Sequence, residues 1–191
     1  GKFGLSIQIL RPGCALPLAC AETHEGKFIK PAQTEAYWFV AKPGEHFIFR
    51  LQEIDLIQAH VSAFTLQGDS IAHTSTSQDA DLRYDFDFSA LTQPDTIMLL
   101  IRDDENFFLG NYAWSFQRLR PSCAQALACD TDLSGQLHLT EMDAFYLPVQ
   151  PGDRMMLRAK GGDRLKLEFF HGDGTPWLPT AGYAGKSKVG A

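Results

Sequence analysis

The chain has 191 residues, 45% hydrophobic and 12% aromatic, which is material for one large core or two small ones. A formal charge of −6, a pI near 5.4 and the lack of any Lys/Arg stripe exclude a dedicated nucleic-acid binder. No stretch approaches the ~20 apolar residues of a membrane helix, and residues 97–101 read instead as a buried strand.

In chain order, strand signals dominate. Phe3, Leu5 and Ile7 alternate with Gly4, Ser6 and Gln8, which predicts a strand with one apolar face. Further strands are predicted at 36–40, 46–51, 59–66, 82–88, 97–101 and 112–116, then at 144–149, 154–159 and 165–170. Turn chemistry separates them, as in Lys42-Pro43-Gly44-Glu45, Gln67-Gly68-Asp69-Ser70, Pro151-Gly152-Asp153 and His171-Gly172-Asp173-Gly174. Residues 55–60 have room for a single helical turn. Within 82–88, Tyr84, Phe86 and Phe88 are placed in a core, with Asp81, Asp85 and Asp87 on a solvated face. Short strands punctuated every ~8–12 residues describe an all-β antiparallel sandwich.

The chain also repeats itself. Residues 1–20 read GKFGLSIQILRPGCALPLAC and residues 110–129 read GNYAWSFQRLRPSCAQALAC, with roughly half the positions identical. The echo continues through Gly26 and Gly135, Glu35-Ala36-Tyr37 and Asp143-Ala144-Phe145, and Lys42-Pro43-Gly44-Glu45 and Gln150-Pro151-Gly152-Asp153. The expected organisation is an orphan strand at 1–10, a complete module at 11–119, and a second module at 120–191 that lacks its terminal strands. Two readings fit this imbalance. The residues are part of a longer array, or Phe3, Leu5 and Ile7 form a donor strand that completes the second module of another copy, head to tail.

The strand Ala36-Tyr37-Trp38-Phe39-Val40, the following Pro43-Gly44-Glu45, and Ala144-Phe145-Tyr146-Leu147 with Pro151-Gly152-Asp153 resemble the bacterial pre-peptidase C-terminal (PPC) domain. The turns Gly68-Asp69 and Gly172-Asp173-Gly174, and the closing Gly110-Asn111-Tyr112-Ala113-Trp114, are similar to that family's Asp-Gly turn and final strand. The resemblance implies jelly-roll-like β-sandwich modules, found as non-catalytic appendages or repeats in secreted bacterial proteins. The cysteine loop is not general to that family.

Four cysteines fall in two pairs of identical spacing. If each copy is self-contained, the pairs are Cys14–Cys20 and Cys123–Cys129. Free thiols are a second reading. Zinc is a third, although C-x5-C differs from the usual knuckle. Disulfides would place the chain outside the cell or on a bacterial cell surface.

Catalytic patterns are lacking: there is no nucleophile elbow, P-loop or His-Glu-x-x-His. His24, His46, His60, His73, His138 and His171 are scattered and read as surface or packing residues. Asp103, Asp104 and Glu105 form the densest acidic loop and are candidate calcium ligands, so calcium is the one cofactor considered. Trp38 and Trp114 are expected in the core, and Trp177 in a turn is the candidate for stacking on a ligand. The leading expectation is a non-catalytic extracellular structural or adhesive repeat protein that assembles head to tail by strand donation, its partners being other copies or neighbouring repeats. The alternative is an accessory module of a secreted hydrolase or peptidase that binds polysaccharide or protein matrix. Neither involves nucleic acid or a membrane span.

Overall fold

The computed structural model describes residues 7–55, 57–75, 81–105, 107–128, 132–161, 165–177 and 189–190. Residues up to 118 build a two-layer antiparallel sandwich. One sheet has the order β1-β3-β8-β5-β6, from β1 (Leu16–Pro17), β3 (Thr34–Ala41), β8 (Asp95–Asp103), β5 (Ala59–Thr65) and β6 (Ser70–Ser75). The other has the order β2-β9-β4-β7, from β2 (Ala21–Phe28), β9 (Gly110–Arg118), β4 (His46–Glu53) and β7 (Asp81–Asp87). Pairing is antiparallel throughout except between β1 and β3. Only β5 and β6 follow one another within a sheet, so the chain otherwise crosses between layers at every step, as in a jelly roll.

The core follows from period-two alternation. Tyr37 and Phe39 of β3, Phe47, Phe49 and Leu51 of β4, Ile97, Leu99 and Ile101 of β8, and Tyr112, Trp114 and Phe116 of β9 meet between the layers. Ring pairs such as Phe39–Phe116 at 5.0 Å and Phe39–Phe47 at 4.9 Å knit the two sheets together. Each such fully buried side chain contributes about 1.5–3 kcal/mol. Phe86 and Phe88 are buried and Asp81, Asp85 and Asp87 are exposed, as the alternation predicts.

Several expectations need correction. Trp38 is only half-buried and lies on the outer face of β3, in one cross-strand row with Met98 and Phe64, because Tyr37 and Phe39 hold the inward phase. Among the described residues, 55 and 57–60 show no helical turn. Asp55 there accepts hydrogen bonds from the backbone N–H (2.7 Å) and side-chain amide (2.6 Å) of Asn111, which pins the loop to the start of β9. β2 was illegible because its residues, AETHEGKF, are largely polar, as suits a strand at a sheet edge.

Beyond β9 the strands shorten. β10 (Gln125–Ala126) pairs in parallel with β11 (Phe145–Tyr146), and β12 (Met156–Leu157) pairs with β13 (Val189–Gly190). The regions 144–149, 154–159 and 165–170 were expected as longer strands. Among the described residues they hold only these pairs and the bridge Phe170–Pro176.

Candidate interaction site

The junction between the sandwich and the later segment is the best-organised polar region of the molecule. Cys20 is bonded to Cys123, with Cα atoms 5.1 Å apart, across a sequence separation of 103. This corrects the expected Cys14–Cys20 pairing. β1 is extended, at roughly 3.3 Å per residue, and carries Cys20 away from the turn that holds Cys14. It brings Cys20 to the end of β9, where Arg118 N donates to the Cys20 carbonyl at 2.9 Å. Cys14 is free and exposed. With Cys123 bonded to Cys20, the expected Cys123–Cys129 pair is also excluded; Cys129 itself lies outside the described residues.

Three charged side chains reinforce the disulfide. Arg118 reaches the carbonyls of Ala19 and Val40 at 3.3 and 3.2 Å and lies 4.9 Å over the Phe47 ring. Burial pulls its guanidinium below the ordinary arginine value, opposed by Glu45 at 3.6 Å. Arg120 donates to Glu45 at 2.7 Å and, through Nε, to the Cys123 sulfur at 3.1 Å. Glu45 also caps its own turn by accepting from Lys42 N at 2.9 Å, and Gly44 adopts the positive φ of 76° that the turn requires. A cleft of about 160 Å³ opens here, lined by Pro43, Glu45, His46, Arg118, Arg120 and Asp173 among others.

The outer face of the second sheet is covered as well. Ala113, Ser115 and Gln117, which alternate with the core residues Tyr112, Trp114 and Phe116 of β9, are buried too, as is Ile48 of β4. Ser115 Oγ donates to the Thr140 carbonyl at 2.5 Å. Arg83 of β7 pairs with Glu168, and Lys166 reaches the same carboxylate at 2.6 Å. Burial pushes Glu168 up, but Lys166 and Arg83 outweigh it and hold the carboxyl below its ordinary value. Sequence reading missed these contacts. The part of the junction with a signal in the sequence is the cysteine turn, through the Gln-x-x-Arg-Pro-x-Cys pattern shared by Gln8, Arg11 and Cys14 and by Gln117, Arg120 and Cys123.

The other candidate residues are dispersed. Asp103 is buried, and its carboxylate accepts backbone N–H groups from Gln58 (3.2 Å), Phe107 (2.7 Å) and Phe108 (3.0 Å), so it organises the loop between β8 and β9. Asp104 pairs with His60 at 3.2 Å and Arg102 at 3.5 Å, while Glu105 is exposed. Among the described residues, no group of three or more His, Cys, Asp or Glu side chains is placed to hold a metal. Trp177 is 47% exposed, with Phe169 and His171 beside it at 6.4 and 6.1 Å. Phe3 and Leu5 lie outside the described residues, and Ile7 is 81% exposed.

No family model matches the sequence, and no curated protein matches it either. Solved structures similar to the chain include the pre-peptidase C-terminal domain of a collagenase from Bacillus anthracis. That match has 15% identity and a TM-score of 0.44, and covers 56% of this chain and 98% of that one. PliG of Aeromonas hydrophila, a periplasmic inhibitor of g-type lysozyme, matches at 14% identity and TM-score 0.42, over 55% of this chain and 95% of that one. The Yersinia pseudotuberculosis-derived mitogen matches at 12% identity and TM-score 0.36, over 65% of this chain and 100% of that one.

Proposed function

We propose that the chain is a non-catalytic structural or adhesive protein of the bacterial exterior, built from tandem β-sandwich modules that join head to tail. The observation that carries this reading is the junction. A disulfide, the Arg118–Glu45–Arg120 cluster and the covered outer face of β9 all serve to fix one segment on the next. The disulfide fits an oxidising compartment. In this reading residues 1–10 continue the join by adding a strand to the second module of another copy.

The test is electron microscopy of the full chain under non-reducing conditions, which keep the Cys20–Cys123 bond closed, beside a variant lacking residues 1–10. Filaments in the full chain and their loss in the deletion are expected. Monodisperse particles in both would count against assembly.

The exposed Trp177, with His171 at its side, favours a second reading, in which the chain is a module that binds polysaccharide or protein matrix. Retention on insoluble glycan or collagen that falls in Trp177→Ala would select it.

A further inference from the structure

The junction lies at one pole of the sandwich, where Gln117 and Arg118 of β9 pair with Ala21 and Phe47. At the opposite pole three loops come together. Gly110, the first residue of β9, pairs with Phe28, the last of β2. Glu53, the last of β4, pairs with Tyr112, and Ala59, the first of β5, pairs with Asp103, the last of β8. The loops at 29–33, 54–58 and 104–109 therefore share this end. Each presents large apolar side chains to solvent: Ile29 is 68% exposed, Ile54 49%, Phe107 70% and Leu109 50%. Among the described residues between β2 and β9, the other exposed large hydrophobics are Val40 and Leu66, so the exposure is concentrated here rather than scattered.

These side chains are held out by loops that are fixed from beneath. Asp103, buried at the base of the 104–109 loop, accepts from the N–H groups of Phe107 and Phe108; Phe108 packs against the core, and Phe107 is left outside. Gln33 closes the 29–33 loop, accepting from Ile29 N at 3.0 Å and donating to the Lys27 carbonyl at 3.1 Å. Ile54 N donates to the Asn111 carbonyl at 3.0 Å. The loop that follows packs so closely on Gly110 that a Cβ there would meet Ile57 at 2.7 Å. Apolar tips on fixed loops lose little freedom when a partner covers them.

The charges around the tips are sorted by sign. Asp55 is bonded to Asn111, Asp103 to backbone N–H groups, and Asp104 to His60 and Arg102. Glu53 accepts from Ala59 N at 2.9 Å. Of the acids at this pole, Glu105 is the one left free among the described residues. Lys27 and Lys30, on either side of Ile29, are both exposed and form no ion pair among the described residues. None of the four tips lines the cleft at the junction or the one between β2 and residues 141–143; they project from the surface. Projecting apolar side chains beside unpaired ammonium groups match a bilayer interface, where the acyl boundary takes the former and the phosphates take the latter.

We propose that this pole, through Ile29, Ile54, Phe107 and Leu109 with Lys27 and Lys30, is a docking surface for a phospholipid bilayer bearing anionic headgroups. The four tips enter the boundary between headgroups and acyl chains, and the two ammonium groups rest at the phosphates. The sandwich then stands on the membrane without crossing it. The inference goes beyond the structural reading above and does not need head-to-tail assembly, because the join to the later segment is made at the other pole.

The test is flotation of the full chain, under non-reducing conditions, with vesicles of phosphatidylcholine alone and of an equal mixture of phosphatidylcholine and phosphatidylglycerol. The wild type floats with the mixed vesicles, less with phosphatidylcholine alone, and added salt weakens the binding. Phe107→Ser and Ile29→Ser each lower the partition by about tenfold. Lys27→Glu with Lys30→Glu removes the preference for the anionic lipid. Leu66→Ser, at the junction pole, leaves binding unchanged. All five side chains are exposed, so the denaturation midpoint stays the same in every variant. In Phe107→Trp, brominated lipid quenches the emission more than it does in the wild type. Three results would overturn the proposal: no flotation with either vesicle, flotation that Phe107→Ser and Ile29→Ser leave unchanged, or an equal loss in Leu66→Ser. Self-association that Phe107→Ser abolishes, with no flotation, would assign the pole to a second copy instead. The filament test above is read separately, since loss of filaments leaves lipid binding standing and loss of flotation leaves assembly standing.

Discussion

The two halves of this chain share their turns but not their packing. The turns at Cys14 and Cys123, the Pro-Gly turns at Gly44 and Gly152, and the positive-φ residues Ala32 and Thr140 recur at matching places. The strands that follow do not: β3 and β4 have eight residues each, whereas β11 and β12 have two. Local chemistry therefore writes a turn wherever its sequence occurs. A long strand persists where a full-length neighbour pairs with it: β3 has β8 and β4 has β9, whereas β11 and β12 each pair, among the described residues, with a strand of two. The second half holds its place by packing on the first, through Cys123, Thr140 and Glu168.

The largest effect on this contrast is expected from the disulfide. Cys20→Ser releases a loop of about a hundred residues and costs about 2–5 kcal/mol by chemical denaturation, whereas Cys14→Ser leaves the midpoint unchanged. An equal response in both variants would erase the distinction between the two turns.

The two matching glycines come next. A Cβ on Gly26 would meet the Tyr112 ring at 2.4 Å, whereas one on Gly135 meets nothing within 4 Å. Gly26→Ala is expected to cost about 1–3 kcal/mol by overpacking, and Gly135→Ala less than about 0.5 kcal/mol. Similar costs would mean that both glycines face a comparable core.

A smaller effect should follow acid. The Glu168 carboxyl lies below its ordinary value when folded, so the folded state binds fewer protons than the unfolded one. Its contribution is present above the ordinary carboxylate range and is lost as pH falls through the folded value. Proteolytic protection of residues 132–177 should therefore weaken in acid, and Glu168→Gln should flatten that dependence. No change in protection between neutral and acid pH would remove Glu168 from the docking contact.

The smallest effect is expected at His60. Burial, with Arg102 adding to it and Asp104 opposing, holds the imidazole below its ordinary 6.5. The folded state again binds fewer protons, so stability is full above about 6.5 and declines as pH falls below it. His60→Gln should remove this shallow slope from the pH dependence of the denaturation midpoint, leaving the acid loss due to Glu168.

The sandwich was legible where one face of a strand is wet. Tyr84, Phe86 and Phe88 alternate with Asp85 and Asp87, and the phase reads directly. It was less legible where both faces are covered. Ala113, Ser115 and Gln117 of β9 look like solvent-facing residues, yet they are buried, with Ser115 bonded to the Thr140 carbonyl and Gln117 to the Cys123 carbonyl. Trp38 misled because size alone does not set phase. The cysteine pairing misled because repeat symmetry was applied within each copy, whereas the observed disulfide joins Cys20 of the first copy to the turn that opens the second. Arg11 and Arg120, Gln8 and Gln117 were visible as identities, but their role needed the sulfur and carbonyls they touch.

The second turn is locked onto the preceding sandwich through Cys20 and Cys123. Peptide mapping of the unreduced protein, with free thiols blocked before digestion, tests it most directly. A cross-linked peptide pair containing Cys20 and Cys123 is the expected result. Recovery of Cys14–Cys20 as the principal linkage would contradict it.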